Sequence, residues 1–397
     1  MGSCQQCSRL TERGRKCGLY LHEQRSLERL DATQAVAQSG LGSCAVPLEP
    51  AWWRWVRSGV ASVPWRVVRG QEVEVARDGW MRLVMTTPTG PVLRWAAGQV
   101  SADAKVVAVK GLPGGSHPWL LGIQHGAEMT RAVLRIGDPD HPEWLATEAA
   151  ALALACDRKL ATPRLLGVDL AGAAGMPLLL MTVLAGSSKV PEVASTRRLR
   201  ALGVAAAALH QVALTPRPAL PLRLRPVPDA DFAAERRPTG CGSSALLEAA
   251  EARLQELPVP AGPTVFVHGD LWQGNTMWTG ETLVGIVDWD QAGAGHPGVD
   301  LGWLRLDAAI LFGPSAAAEI LDCWRRATGY EPDAVAYWDV VAALNSPLDL
   351  VGWLPPFHRQ GRSDLDAATL TGRRDAFLRV ALDRLDRGRA PRQSTRG

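Results

Sequence analysis

Residues 265 to 278 read VFVHGDLWQGNTMW, and they contain the most informative polar residues of the 397-residue chain. The apolar residues before His268 predict a short strand over residues 264–267, followed by a loop. In that loop Asp270 comes two residues after His268, and Asn275 comes five residues after Asp270. A carboxylate held at the end of a strand can accept a hydrogen bond from an incoming hydroxyl group and then take its proton.

A second polar segment begins thirteen residues after Asn275. Residues 283 to 291 read LVGIVDWDQ and place Asp288 directly after a predicted strand over residues 283–287. The carboxylate of Asp288 and the amide oxygen of Asn275 are hard oxygen ligands of the kind Mg²⁺ prefers. The order strand, H-x-D-x₄-N, strand and D-W-D matches the pattern used for metal-assisted phosphoryl transfer. The two segments together predict that chemistry, with Asp270 positioning the acceptor hydroxyl group.

The composition excludes several other classes of protein. Hydrophobic residues make up 47% of the chain and charged residues 21%, as in ordinary globular proteins. A net charge of +3 is too small to indicate a nucleic-acid or membrane-surface partner. No apolar run approaches the roughly 18 residues of a membrane span, and the N-terminus lacks an apolar signal core. We therefore expect a cytoplasmic protein without nucleic-acid or membrane partners, and its oligomeric state stays open.

The first half of the chain is predicted to consist of an N-terminal extension followed by a strand-rich lobe. Residues 1–85 show no sustained periodicity, and we expect them to be disordered or a non-native extension. The functional protein is then expected to begin near Met81 or Met85. Residues 92–186 are predicted to form a small nucleotide-binding lobe. Its strands are expected over residues 106–109, 119–123, 132–136, 164–168 and 178–183, with a helix over residues 143–156.

The second half is predicted to be mostly helical. Ser195 is a candidate N-cap, and Leu199, Leu202 and Ala206 recur at helical spacing. His210 ends this predicted helix, and no chemical role is assigned to it. Residues 187–386 are expected to form the larger lobe, with the catalytic loop and the acceptor site, and residues 387–397 a disordered tail. The chain is thus predicted to be an α+β protein of two lobes with a cleft between them.

The segments HGDLWQGN and GIVDWDQAGAGHPGVDLGW together resemble the aminoglycoside phosphotransferase and choline kinase-like family, over about residues 100–385. The resemblance implies a protein-kinase-like fold, with a small antiparallel sheet in the N-lobe and a larger, mostly helical C-lobe. It implies that Asp270 is the catalytic base and that Asn275 and Asp288 are magnesium ligands, with ATP and Mg²⁺ as cofactors. It further implies that His268 and Asp300 support the catalytic loop. Asp290 is either a supporting group or a solvated residue.

The resemblance also implies a nucleotide site in the N-lobe. Backbone groups of a Gly-rich turn would face the phosphates, and backbone groups between the lobes would bind adenine. Arg135, in the segment VLRI, stands where the family usually carries a lysine that pairs with a helix glutamate. Arginine keeps the charge but presents a planar fork. The predicted nucleotide-binding residues are Gly114, Gly115, Ser116, Arg135, Glu148, Thr182 and Leu184.

The acceptor is predicted only as a hydroxylated small molecule, either aminoglycoside-like or another metabolite. Residues 300–349 contain eight acidic and three basic residues, which favours a cationic acceptor. Trp303 and Trp353 are candidates for the pocket wall, and residues 353–362 for a flap over it. Two alternatives remain: a metabolic kinase for choline, homoserine or an amino sugar, and a nucleotide-binding pseudoenzyme, which the arginine at position 135 would favour.

Overall fold

The N-terminal lobe is built on one antiparallel sheet. The computed structural model describes residues 87–112, 118–230, 232, 244–332 and 334–389. Five strands pair in the order β1-β2-β3-β5-β4. They are β1 (Lys105–Gly111), β2 (Trp119–His125), β3 (Glu128–Ile136), β4 (Leu165–Asp169) and β5 (Leu178–Thr182). The predicted strands therefore agree with the observed ones to within a few residues.

A helix covers each face of this sheet. Alternate residues of a strand point to opposite faces, and accordingly Leu180 packs in one apolar cluster and Leu179 in another. Helix α1 (Gly90–Gly98) contributes Val92 and Ala96 to the first cluster. Helix α2 (Pro142–Asp157) contributes Leu152 to the second. Helix α1 was not predicted, because its nine residues begin with Gly-Pro and end with Gly and give too short a periodic signal.

The C-terminal lobe is a helical assembly around one buried helix. That helix, α5 (Gly298–Phe312), has every residue buried except the last. Around it lie α3 (Thr196–His210), α4 (Ala245–Gln255), α6 (Pro314–Thr328), α7 (Val335–Leu344), α8 (Leu354–Arg359) and α9 (Ala367–Arg389). Ser195 caps α3 as expected, since its hydroxyl group accepts a hydrogen bond from the Arg198 N–H group at 3.1 Å.

Short strands interrupt the helices and carry the polar motifs. β6 (Leu222–Arg223), β10 (Gly293–Gly295) and β7 (Val265–Val267) form a three-stranded sheet in that order. β8 (Thr276–Thr279) and β9 (Thr282–Ile286) form an antiparallel hairpin. The segment containing Asp270 joins β7 to this hairpin, and Asp288 follows it. The hairpin therefore brings the two motifs back toward each other.

The ends of the chain lie mostly outside the described residues. The predicted extension over residues 1–85 lies there entirely. The predicted C-terminal tail begins too early, because α9 continues to Arg389. In the part of the chain that the structure describes, no helix combines the length and the apolar character needed to cross a membrane.

Close packing of α3 on α6 leads to a stability prediction. A Cβ atom at Gly203 would lie 2.5 Å from the Ile320 carbonyl oxygen and 2.8 Å from the Cys323 Cβ. We expect Gly203→Ala to lower the free energy of unfolding by about 1–3 kcal/mol, because the helices must separate. Gly372→Ala on α9 is the matched control, since nothing lies within 4 Å of its Cβ position. Equal urea midpoints for the two variants would contradict the prediction.

Candidate active site

The turn that carries Asp270 depends on a glycine. Gly269 follows His268 at the end of β7 and has a φ of 80°, a conformation that side chains disfavour. A Cβ atom there would lie 2.0 Å from the carbonyl oxygen of Gln291. Only glycine fits this position without moving the chain that follows β9. The turn places Asp270 at the surface of a cleft, with its side chain partly buried.

Asp300 stabilises this turn through hydrogen bonds to its backbone. Its Oδ2 accepts a hydrogen bond from the His268 N–H group and its Oδ1 one from the Gly269 N–H group, both at 2.8 Å. His210 Nε2 lies 3.2 Å from the same Oδ2, and His210 Nδ1 accepts a hydrogen bond from Trp324 Nε1 at 2.8 Å. His210 therefore carries its proton on Nε2 and donates it to Asp300. The sequence pattern predicts no chemical role for His210, but in the structure this residue supports Asp300.

His268 is a neutral brace between the two motifs. Burial lowers the pKa of its imidazole, and the charge of Asp300 only partly opposes this. Its Nε2 donates to the Val287 carbonyl oxygen at 3.0 Å, and its Nδ1 accepts from the Asp270 N–H group at 3.3 Å. The ring also packs against Trp289, with centroids 4.6 Å apart. One imidazole thus fixes the backbone of Asp270 relative to the residue before Asp288.

Two donors orient the Asp270 carboxylate. Trp303 Nε1 donates to Oδ1 at 2.8 Å, and Asn275 Nδ2 donates to Oδ2 at 3.0 Å. Burial raises the pKa of Asp270 well above its ordinary value, and the nearby Asp288 charge adds to the rise. The hydrogen bonds from Trp303 and Asn275 act in the opposite direction. Such a carboxyl group is fixed in direction and has a high proton affinity, as a general base needs.

Asn275 and Asp288 fit a divalent cation. The Val287 N–H group donates to the Asn275 carbonyl oxygen at 2.9 Å, which holds the two residues side by side. The Asn275 side chain turns its Nδ2 toward Asp270, so its amide oxygen remains the atom able to ligate a cation. Asp288 has a φ of 67°, a strained conformation of a kind often found at functional sites. Burial and the Asp288 charge raise the pKa of Asp290 to about 6, and a cation would relieve this repulsion.

Arg135 joins the two lobes through three carboxylates. Its Nη1 lies 3.1 Å from Glu148 on α2 and also contacts Asp288, and its Nη2 lies 3.0 Å from Asp290. Burial acts to lower the pKa of Arg135, but the three carboxylates outweigh it and raise the pKa, so the guanidinium is charged. Burial raises the pKa of Glu148 to about 8, which Arg135 partly offsets. The structure thus brings Arg135 and Glu148 together and gives Asp290 a partner.

The predicted adenine-binding residues lie where the chain leaves the N-lobe sheet. Thr182 ends β5, and both its N–H group and its hydroxyl group bond to the backbone of Arg164, at 2.8 Å each. Two residues later, Leu184 packs on Gly285 of β9, where a Cβ atom would lie 2.5 Å from Leu184 Cδ1. This segment therefore connects the N-lobe sheet to the hairpin before Asp288.

The segment predicted to bind the phosphates lies between β1 and β2. Gly114, Gly115 and Ser116 lie outside the described residues. The strands on either side are described, and they pair with each other, Gly111 of β1 opposite Trp119 of β2. That Gly114, Gly115 and Ser116 contact phosphate groups stays a prediction.

Asp307 lies next to the predicted catalytic loop and makes the stability of the folded protein depend on pH. Burial raises its pKa to about 7, although its Oδ2 accepts a hydrogen bond from the Gln273 N–H group at 3.1 Å. The charges of Arg198 and Arg362 act to lower the pKa. The folded protein keeps this proton at pH values where the unfolded chain has lost it. The contribution of Asp307 to the free energy of unfolding therefore falls as pH rises from about 4 to about 7.

Asp307→Asn should remove this loss of stability with rising pH, because the asparagine oxygen still accepts the hydrogen bond from Gln273 and the amide does not ionise. We expect the variant to gain stability relative to the wild type as pH rises from 4 to 7, and to keep the gain at pH 8. Urea unfolding at pH 5 and pH 8 measures the difference. A difference between variant and wild type that is the same at both pH values would contradict the assignment.

Comparisons with known proteins found a matching family and similar solved structures. A sequence model of the phosphotransferase enzyme family matches residues 108–338. No curated protein matches the chain in sequence. Similar solved structures include the macrolide 2'-phosphotransferase MphH from Brachybacterium faecium, 18% identical over 73% of this chain and 97% of that chain, with a TM-score of 0.47.

Two further solved structures are aminoglycoside phosphotransferases. The type VIII aminoglycoside-3'-phosphotransferase is 18% identical over 63% of this chain and 97% of that chain, with a TM-score of 0.42. A thermostable mutant of APH(4)-Ia, in a complex with AMP-PNP and hygromycin B, is 15% identical over 69% of this chain and 94% of that chain, with a TM-score of 0.46. The family match spans both lobes and both polar motifs. The chain therefore belongs to the phosphotransferase enzyme family, and it is a phosphotransferase with a small antiparallel N-lobe sheet and a larger, mostly helical C-lobe.

Proposed function

We propose that the chain transfers the γ-phosphoryl group of ATP to a hydroxyl group of a small molecule held at Asp270. The observation that carries this proposal is the shared anchoring of Asp270, Asn275 and Asp288. Asn275 bonds to Asp270 through its side chain and to Val287 through its backbone. These bonds support the proposal, because they hold the proposed base close to the two proposed oxygen ligands, as phosphoryl transfer requires.

The residues divide the reaction between them. Asp270 orients the acceptor hydroxyl group toward the γ-phosphorus and takes its proton. The new bond joins the acceptor oxygen to phosphorus, while the bond from phosphorus to the bridging oxygen breaks and ADP leaves with the electron pair. Asn275 and Asp288 would hold Mg²⁺, which supplies positive charge to the phosphate oxygens when it is bound. Trp303 keeps the Asp270 carboxylate in its orientation throughout.

The nucleotide is proposed to bind between the lobes. Gly114, Gly115 and Ser116 would offer backbone N–H groups to the phosphates, and backbone atoms of Thr182 and Leu184 would bond to the adenine edge. Arg135 would contact the phosphates from its position beside Glu148. Its present contacts to Asp288 and Asp290 are compatible with this role, because a guanidinium group offers five donors and can serve several acceptors at once.

Nucleotide binding and turnover test the proposal separately. MgATP should raise the melting temperature of the full chain, because a ligand that binds only the folded state stabilises it. ADP release should then be measured with a panel of hydroxylated amines and neutral alcohols, with EDTA as the control for the metal. If MgATP stabilises the chain but no ADP forms with any panel member or with water as the acceptor, the pseudoenzyme alternative is supported. Absence of stabilisation would contradict the nucleotide site itself.

A further inference from the structure

A small cavity of about 210 Å³ opens beside the Asp270 carboxylate. Its walls are mainly aromatic and aliphatic, and Asp270 and Asp307 are the acidic residues among the described residues that line it. We call it the aromatic cavity, after Trp272, Trp303, Trp353 and Phe357. Because it contains the proposed base, it lies where the acceptor hydroxyl group must come. Its chemistry therefore bears on which acceptors fit.

The aromatic side chains hold one another in place. Trp303 and Trp353 meet edge to face with centroids 5.6 Å apart, and Trp272 and Phe357 do so at 5.7 Å. The Trp303 indole is further fixed by its hydrogen bond to Asp270. Aromatic pairs of this geometry stabilise each other beyond their burial. The walls are thus formed in advance and can receive a ring without rearrangement.

The outer wall is attached directly to the catalytic loop. Trp272 lies across Gly274, where a Cβ atom would come within 2.2 Å of the indole ring. Gln360, just after α8, donates from Nε2 to the Gly274 carbonyl oxygen at 3.2 Å. Its own carbonyl oxygen accepts from the Val190 N–H group at 2.8 Å. The segment with Trp353 and Phe357 is therefore docked over Asp270, in the place expected for a flap.

Most of the acidic residues expected to attract a cationic acceptor form hydrogen bonds or ion pairs with other parts of the chain. Asp300 binds the backbone of the catalytic loop. Asp339 forms a buried bidentate pair with Arg305, with both contacts at 2.9 Å. Glu319 pairs with Arg200 at 2.7 Å. Among the described acidic residues of the 300–349 stretch, only Asp307 lines the aromatic cavity. The described lining therefore lacks the several carboxylates that a polycation needs.

We propose that the aromatic cavity binds the acceptor by an apolar ring or hydrocarbon face beside the phosphorylated hydroxyl group. One amino or hydroxyl group can be placed near Asp307, and hydroxylated rings with two or more positive charges are disfavoured. About 210 Å³ accommodates a single ring system, so a larger acceptor inserts one ring and leaves the rest outside. The inference rests on the proposed function, since Asp270 identifies the acceptor side.

Ligand binding without nucleotide tests this inference apart from catalysis. Saturation-transfer NMR on the full chain compares benzyl alcohol and cyclohexylmethanol with 2-deoxystreptamine, a hydroxylated six-membered ring that carries two amino groups. We expect the two alcohols to bind and the aminocyclitol to bind more weakly. Binding of the alcohols would support the inference even if no acceptor were ever phosphorylated. Tighter binding of 2-deoxystreptamine than of both alcohols would overturn it.

A variant pair locates the binding. Trp353→Ala should weaken benzyl alcohol binding by about tenfold, the loss of one aromatic contact. Trp144→Ala is the matched control, because Trp144 lies on α2, stacks on His141 and is 39% exposed away from the cavity. Melting temperatures establish that both variants fold. If Trp353→Ala does not fold, the comparison of ligands on the wild type still decides. Equal affinities of wild type and a folded Trp353→Ala would overturn the inference.

Discussion

The Asp270→Asn variant is expected to lower kcat by about 10²- to 10⁴-fold, the usual contribution of a general base. The asparagine side chain has the same shape, and one of its two terminal atoms still accepts a hydrogen bond. It has no carboxylate to take the hydroxyl proton during transfer. Because Asp270 is proposed to touch the acceptor rather than the nucleotide, the affinity for MgATP should change little.

The measurement is kcat for one acceptor, together with the dissociation constant of MgATP from titration. Asp322→Asn is the matched control, since it removes the same charge from a half-exposed carboxylate of α6 that pairs with Arg325. We expect the control to keep the kcat of the wild type. A kcat for Asp270→Asn within a few fold of the wild type would refute the assignment of Asp270.

The Asp300→Asn variant is expected to lower the free energy of unfolding by about 2–4 kcal/mol, for one unpaired buried donor and one weakened hydrogen bond, and to reduce kcat as well. Both carboxylate oxygens of Asp300 accept buried backbone N–H groups, from His268 and Gly269. An amide side chain has one acceptor oxygen, so its nitrogen would face one of these N–H groups. A buried donor without a partner costs about 1–3 kcal/mol, and the contact with His210 is weakened too.

Asp366→Asn provides a matched comparison for stability. Asp366 is exposed and caps α9, where its Oδ1 accepts from the Thr369 N–H group at 2.7 Å. Asparagine caps helices about as well as aspartate, so little change is expected. Urea unfolding measures both variants. If Asp300→Asn loses activity but keeps the stability of the wild type, the proposed support of the loop is wrong.

The elements closest to the chemistry could be predicted because their signals are local. Each motif consists of a short apolar strand followed at once by polar residues, so the strand ends place Asp270 and Asp288 without knowledge of the rest of the fold. The pairing of Arg135 with Glu148 could be predicted from the resemblance, since both positions have counterparts in the family. The structure brings them within 3.1 Å.

Other parts depend on packing between distant segments. Trp303 bonds to Asp270 across 33 residues of sequence, and His210 to Trp324 across 114. No periodicity or spacing predicts such contacts. The charge of residues 300–349 suggested an acidic acceptor site, but charge along the sequence does not show which carboxylates are already paired. For His210 the sequence shows only a position at the end of a predicted helix, and that position identifies no partner.

The most direct test is the mass spectrum of the acceptor after reaction with the full chain and MgATP. We expect the acceptor to gain one phosphoryl group on a hydroxyl oxygen. EDTA should prevent this gain, and Asp270→Asn should give far less product in the same time. Formation of ADP with an unmodified acceptor, or equal product from Asp270→Asn and the wild type, would contradict it.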